Sequence, residues 1–295
     1  MKATYLFIVI CVSISVHHAE AQRLIERGWI LNPLESMAYQ PEDHERKWFT
    51  QVGGWGSFGN YVLSGDEDHH WYQQLAAFAE IYRHGNKWSV AITSQIEFIA
   101  NDDNDVNFSP RAIFWEEGLL ITRRRSSFFI QLGYYHRCKH DIDNLRIGEE
   151  RTSVFGSAMA AIIFPFNIGK SNRATLALRY DHYTITWEKR TPAEFLNVGP
   201  NWENLVSSVT INADWSTNRK RMNFHLNGYA MNTFLHDDSL LNVMLRAEIG
   251  RKTAAGDLRF GIHIEHFGDT GIPVRPVTAT LIGAGVRIMA PGNVL

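Results

Sequence analysis

The chain has 295 residues and a formal net charge of -2, with 20% charged and 12% aromatic residues. That balance gives no reason to expect nucleic acid, whose recognition calls for a basic face. A slightly polar mean hydropathy excludes a helical membrane protein but leaves open a barrel, in which only every second strand residue meets lipid.

The start reads as an export signal. Lys2 supplies the positive end, Tyr5 to Val16 is an apolar run too short to span a bilayer, and Ala19-Glu20-Ala21 is a small-x-small cleavage pattern. Residues 1–21 are therefore expected to be removed as a signal peptide during transit to the cell outer membrane. Cys11 follows the bulky Ile10 and so makes no lipobox, and processing leaves Cys138 as the single cysteine, which rules out an internal disulfide. Residues 22–46, with Pro33, Pro41 and mixed charges, read as an N-terminal periplasmic arm or plug-like segment. Beyond Ala21 no apolar run reaches the ~20 residues of a membrane helix.

From 47 to 290 the dominant signal is alternation with period two. Trp88, Val90, Ile92, Ile96 and Phe98 interleave with Ser89, Ala91, Thr93, Gln95 and Glu97. Val209, Ile211, Ala213 and Trp215 alternate with polar neighbours in the same way, as do Val243, Leu245, Ala247 and Ile249, and Leu258, Phe260, Ile262 and Ile264. Strands are predicted near 47–58, 70–84, 87–100, 107–122, 126–140, 150–165, 172–187, 205–216, 221–233, 239–250, 257–267 and 278–289, followed by a tail at 291–295.

Alternation alone fits a soluble sandwich equally well; the connections decide between them. Short turns at Gly85-Asn86, Arg123 to Arg125, Thr217 to Lys220 and Lys252 to Gly256 alternate with longer acidic loops at 64–70, 101–106, 141–149, 188–204 and 268–277. Short turns on one side and long loops on the other are the habit of outer-membrane barrels. Trp48, Trp71, Trp88, Trp115, Trp187 and Trp215 fall near strand ends, where aromatic girdles lie. The predicted fold class is all-β, a transmembrane antiparallel β-barrel of about twelve strands. The last strand closes on Arg287-Ile288-Met289 and lacks the terminal aromatic residue common in such barrels.

One stretch combines chemistry-bearing residues: Gly133-Tyr134-Tyr135-His136-Arg137-Cys138-Lys139-His140-Asp141-Ile142-Asp143-Asn144. It ends the fifth predicted strand, which runs outward. His136, Cys138 and His140 share parity with Leu132 and Tyr134 and are expected on the lipid-facing side. A thiol becomes a useful nucleophile beside a base that takes its proton, and a third group must fix the imidazole tautomer. Glu150 opens the next strand, and the hairpin is expected to bring it back beside His136 or Cys138. The alternative is a strand emerging into water, with Arg137 and Lys139 meeting lipopolysaccharide phosphates. A metal is not expected, because three ligands on one flat strand face diverge.

This stretch resembles the His-x-Ser site of two families of outer-membrane lipid hydrolases, the lipid A deacylases and the outer-membrane phospholipases A. The resemblance implies an acyl-ester hydrolase of outer-leaflet lipid, with His136 as base, Cys138 in the nucleophile's place and Glu150 as the orienting acid. Cysteine where those families carry serine is a departure from the pattern. The run His136 to His140 also resembles the His-x-Ser-x-His pattern of a group of uncharacterised outer-membrane barrels, with Asn32-Pro33-Leu34 matching their arm; that likeness implies location alone.

The remaining charges fall into two sets. Asp66-Glu67-Asp68, Asp102-Asp103-Asn104-Asp105 and Asp237-Asp238 offer hard oxygen ligands, but no twelve-residue calcium loop is present and solvated loop tips are expected. Glu97, Arg179, Asp181, His225, Arg246, Glu248, Arg259, His263 and Glu265 are expected in the lumen, where opposite charges pair and narrow it; a narrow channel for a small solute is the further alternative. No cofactor is expected. The expected partners are outer-membrane lipid, lipopolysaccharide and, during biogenesis, the barrel-assembly machinery.

Overall fold

The apolar member of each alternating pair turns outward. Along Trp88–Ala100, Ile92 is half exposed while Thr93, Gln95 and Glu97 are buried. This inverts the soluble sheet and is what a hydrocarbon surround selects, since lipid tails impose no penalty on exposed Ile or Leu. The computed structural model describes residues 30–35, 42, 44–101, 110–141, 148–217, 222–253 and 256–294. The expected signal peptide and residues 22–29 lie outside the described residues.

The strands are β1 (Arg46–Leu63), β2 (Trp71–His84), β3 (Trp88–Ala100), β4 (Pro110–Arg124), β5 (Phe129–Asp141) and β6 (Glu150–Ile168). They continue as β7 (Asn172–Thr191), β8 (Leu205–Thr217), β9 (Asn223–Leu235), β10 (Ser239–Lys252), β11 (Asp257–Phe267) and β12 (Ala279–Val294). Each pairs antiparallel with its chain neighbours, and β1 pairs with β12, so twelve strands close into one barrel. Closure leaves no edge with unpaired backbone groups, which hydrocarbon does not tolerate. At 11 to 20 residues the strands meet or exceed what a tilted membrane strand requires.

The short-turn and long-loop ends fall as predicted, with one exception: β9 and β10 are joined at the long-loop end by three residues, His236 to Asp238. A second departure is at the C-terminus. Residues 291–294 are not a tail but the last part of β12, where Val294 pairs with Gln51 of β1.

The lumen is filled in three layers. At the long-loop end, Trp202, Phe155, Tyr183, Phe267, Leu240 and Ile272 belong to one apolar cluster. Below it lie the predicted lumen charges, paired as Arg179–Asp181 at 2.7 Å, Arg246–Glu265 at 3.7 Å and Arg259–Glu248 at 3.4 Å. At the short-turn end the arm enters the barrel, so its described part is a plug. Leu34 packs on Phe129, Ile163 and Ala177, and Leu31 on Leu120, Tyr135 and Met159. The Pro33 carbonyl accepts from Gln51 Nε2 at 3.0 Å and Arg83 Nη1 at 3.1 Å, and that of Leu31 from Gln131 Nε2 at 2.7 Å. Buried carbonyls of a segment outside the sheet need such donors. A cavity of about 50 Å³ remains near Glu116, Tyr135 and Arg179, enough for a few waters.

Candidate functional site

Alternation along β5 separates the unusual stretch into two sets. Arg137 and Lys139 point into the lumen and are buried. Arg137 stands 3.9 Å from Glu97 and 3.7 Å from Glu116, while Lys139 binds Asp141 and, at 2.6 Å, the Arg151 carbonyl. These cations are consumed by internal carboxylates and do not face lipopolysaccharide. His136, Cys138 and His140 alternate with them and take the outward face, as their parity predicted. Asp143 and Asn144 of the following loop lie outside the described residues.

The register fixes what stands beside them. Cys138 pairs with Trp115 of β4 and Val154 of β6, and Val154 pairs in turn with Trp187 of β7. Trp115 and Trp187 are both 43% exposed on the outer wall. Cys138, half-buried, therefore sits in an aromatic girdle at the long-loop end. The next row toward mid-barrel holds Glu117, His136 and Gly156. Glu117 is exposed on the same face, and directly opposed residues of an antiparallel pair hold their Cβ atoms about 5 Å apart.

Glu150 is not part of this group. The β5–β6 ladder aligns Lys139 with Ser153, which leaves Glu150 level with position 142, some 20 Å along the wall from His136 at ~3.3 Å per residue. Glu150 faces outward and accepts from Lys189 Nζ at 3.3 Å. The acid beside His136 is Glu117, on the preceding strand. Its signal was the tight turn in which Arg125 N–H donates to the Phe128 carbonyl at 2.8 Å. That turn, and no long loop, fixes the β4–β5 register.

The same row continues as a polar stripe. The Tyr134 hydroxyl reaches across β6 to Thr184 Oγ1 at 3.1 Å, and Thr184 Oγ1 donates to the Gly156 carbonyl at 3.3 Å. A Cβ at Gly156 would lie 2.4 Å from the Tyr134 hydroxyl, so glycine is what lets the ring lie across the strand. A register shift in β7 beside Gly156 brings Thr184 to the wall. Ionisable side chains such as Glu117 and His136 are costly on a lipid-facing wall. Among the described residues no three His, Cys, Asp or Glu side chains converge as a metal site would.

Above the girdle the long-loop end is closed by a buried ion-pair cluster. Arg151 donates to Glu188 at 2.7 Å and to both oxygens of Asp269 at 2.9 and 2.6 Å. Arg190 binds Glu188 and donates to the carbonyls of Phe195, Val198 and Pro200 at 2.5 to 2.7 Å. Trp202 Nε1 donates to Asp269 at 3.2 Å. Burial alone would raise the Asp269 carboxyl, but the Arg151 guanidinium, with the Gly271 and Trp202 donors, holds it below the usual range.

A closed antiparallel barrel with an apolar outer wall, aromatic girdles and a filled lumen is a β-barrel of the outer-membrane class. Comparison with solved structures agrees. The fold is similar to outer membrane phospholipase A from Escherichia coli, at 10% identity over 82% of this chain and 94% of that chain, with a TM-score of 0.50. An active-site mutant of the same Escherichia coli enzyme matches at 11% identity over 86% and 96%, again with a TM-score of 0.50. KdgM porin matches at 8% identity over 81% and 98%, with a TM-score of 0.41. At such identities the likeness to the two phospholipase A structures is one of fold alone. No protein-family model and no curated protein matches the chain.

Proposed function

We propose that this chain resides in an outer membrane, exported by a cleaved signal at 1–21, and acts on its lipid-facing wall as an acyl-ester hydrolase of outer-leaflet phospholipid or lipid A. The observation that carries this reading is the row Glu117–His136, set one step inside the girdle of Trp115 and Trp187 with Cys138 next to it. That depth is where lipid ester bonds meet a barrel wall, because Trp side chains lie at the headgroup level.

In this reading Glu117 orients the imidazole, His136 takes the proton of the Cys138 thiol, and the thiolate adds to the ester carbonyl carbon. The C–O bond to the alcohol breaks, His136 returns its proton to that oxygen, and an acyl thioester remains on Cys138. Water deprotonated by His136 then releases the fatty acid and restores the thiol. The filled lumen supports a wall site over a narrow channel.

The test is fatty-acid release from phospholipid or lipopolysaccharide in mixed micelles by the purified barrel. Release is expected from the native protein, loss of about a thousandfold or more in Cys138→Ala, and block by a thiol alkylator. Release that survives Cys138→Ala, or no release from either lipid, overturns the reading.

A further inference from the structure

A net charge of -2 conceals a division of charge along the barrel axis. At the short-turn end the connections are basic. Lys87 stands between β2 and β3, Arg124 ends β4 with Arg125 in the turn after it, and Lys170 lies between β6 and β7, all exposed. Arg251 and Lys252 close β10, and Arg46 and Lys47 open β1, again exposed. Nearby acids are partly spent: Glu45 pairs with Lys47 at 2.6 Å and Glu35 with Arg173 at 2.5 Å. Asp257 turns into the lumen against Arg259 at 3.0 Å. At the opposite end the exposed acids include Glu67, Glu194, Glu203, Asp237 and Asp238.

The basic collar borders an aromatic belt. Trp48, next to Lys47, is 69% exposed and lies against Tyr82 with ring centroids 5.0 Å apart. The Arg123 guanidinium lies 4.7 Å from the Trp88 ring centroid, and Phe164 packs with Phe128 at 5.7 Å. Aromatic belts mark the boundary between hydrocarbon and headgroups, so Lys47 beside Trp48, Lys87 beside Trp88 and Arg124 beside Arg123 lie at the phosphate level, with Lys170 farther out on the β6–β7 hairpin. They also circle the rim, spread over β1, β10 and three separate turns. A large acidic partner would need its cations on one side. A ring of separated cations suits many small anionic ligands, each held by one or two donors.

We infer that this collar binds the anionic phospholipid headgroups of the leaflet at the short-turn end. The inference rests on the barrel being embedded in a membrane and is independent of the hydrolase reading.

The full protein is reconstituted in phosphatidylcholine bilayers, and its association with spin-labelled phosphatidylglycerol is compared with that of spin-labelled phosphatidylcholine. The expected preference for the anionic probe is on the order of fivefold, from one well-placed cation per lipid. It is expected to fall by about half in Lys87→Gln/Arg124→Gln/Arg125→Gln/Lys170→Gln, which leaves the cations of β1 and β10, and toward unity at about 0.5 M salt. It is expected to persist in Lys189→Gln/Arg275→Gln at the other end. Equal association of the two probes with the native protein, or a preference undiminished by loss of the four turn cations, overturns the proposal. Should the fourfold variant not fold, the salt series on the native protein decides, and a preference indifferent to salt overturns it.

Discussion

Glu117 and Glu150 are chemically alike and both face outward, yet register gives them different surroundings. Glu117 is level with His136, whereas Glu150 is engaged by Lys189 some 20 Å along the wall at ~3.3 Å per residue. If the wall site hydrolyses lipid, Glu117→Gln is expected to reduce kcat by about a hundredfold or more, through loss of the charge that stabilises the imidazolium. Glu150→Gln is expected to stay within about twofold of the native rate, since it loses only an exposed ion pair. Fatty-acid release by the two variants checks this, and equal losses would remove Glu117 from the site. The contrast also shows what the sequence displays at this scale. Parity along β5 assigned His136 and Cys138 to the outer wall correctly, because side chains alternate with no outside information. Partnership across strands depends on where a connection closes. The loop after Asp141 is long and does not dictate register, whereas the turn at Arg125 to Phe128 is tight and does.

At the scale of elements, most strand positions were legible because the lipid-facing positions repeat with period two and the turns punctuate them. The conformation of the loops was not, because it depends on buried contacts between residues far apart in the chain. Arg151 and Asp269 are 118 positions apart, and their pairing draws the segment after β11 into the mouth with Trp202. Replacing Arg151 by Met strands Asp269 without its cation and is expected to cost about 3–5 kcal/mol, read from thermal unfolding in detergent. Arg190 still pairs with Glu188, so the loss falls mainly on Asp269. Acid acts on the same contact. The folded Asp269 carboxyl lies below its ordinary value, so its stabilisation is complete above about pH 4 and is lost as pH falls toward the folded pKa. Hydrogen exchange over 193–204 and 268–278, corrected for intrinsic rates, should show lower protection at about pH 3 than at pH 7. Undiminished protection in acid would mean that Asp269 does not hold these loops.

The whole molecule is a barrel closed from both ends by different means. Twelve strands enclose an interior between the filled eight-stranded and open sixteen-stranded types, so patency depends on what occupies it. At the short-turn end the occupant is the arm, held by Leu31, Leu34 and the captured Pro33 carbonyl. At the long-loop end it is the apolar cluster around Trp202, which among the described residues is separate from the arm's clusters and is tied down by Asp269 instead. Independent seals in series predict a particular pattern of conductance. The native barrel in a planar bilayer is expected to show no steady unitary current. Leu31→Asp/Leu34→Asp, which places charge where the arm meets Phe129 and Tyr135, should release the inner seal and leave the outer one, so current is still absent. Trp202→Ala/Asp269→Asn should release the outer seal alone, with the same result. Only the four substitutions together should open a steady conductance through the charged middle layer. Steady current from either double variant would show that the opposite end is not a seal, and current from the native protein would return the lumen to consideration as the working part of the molecule.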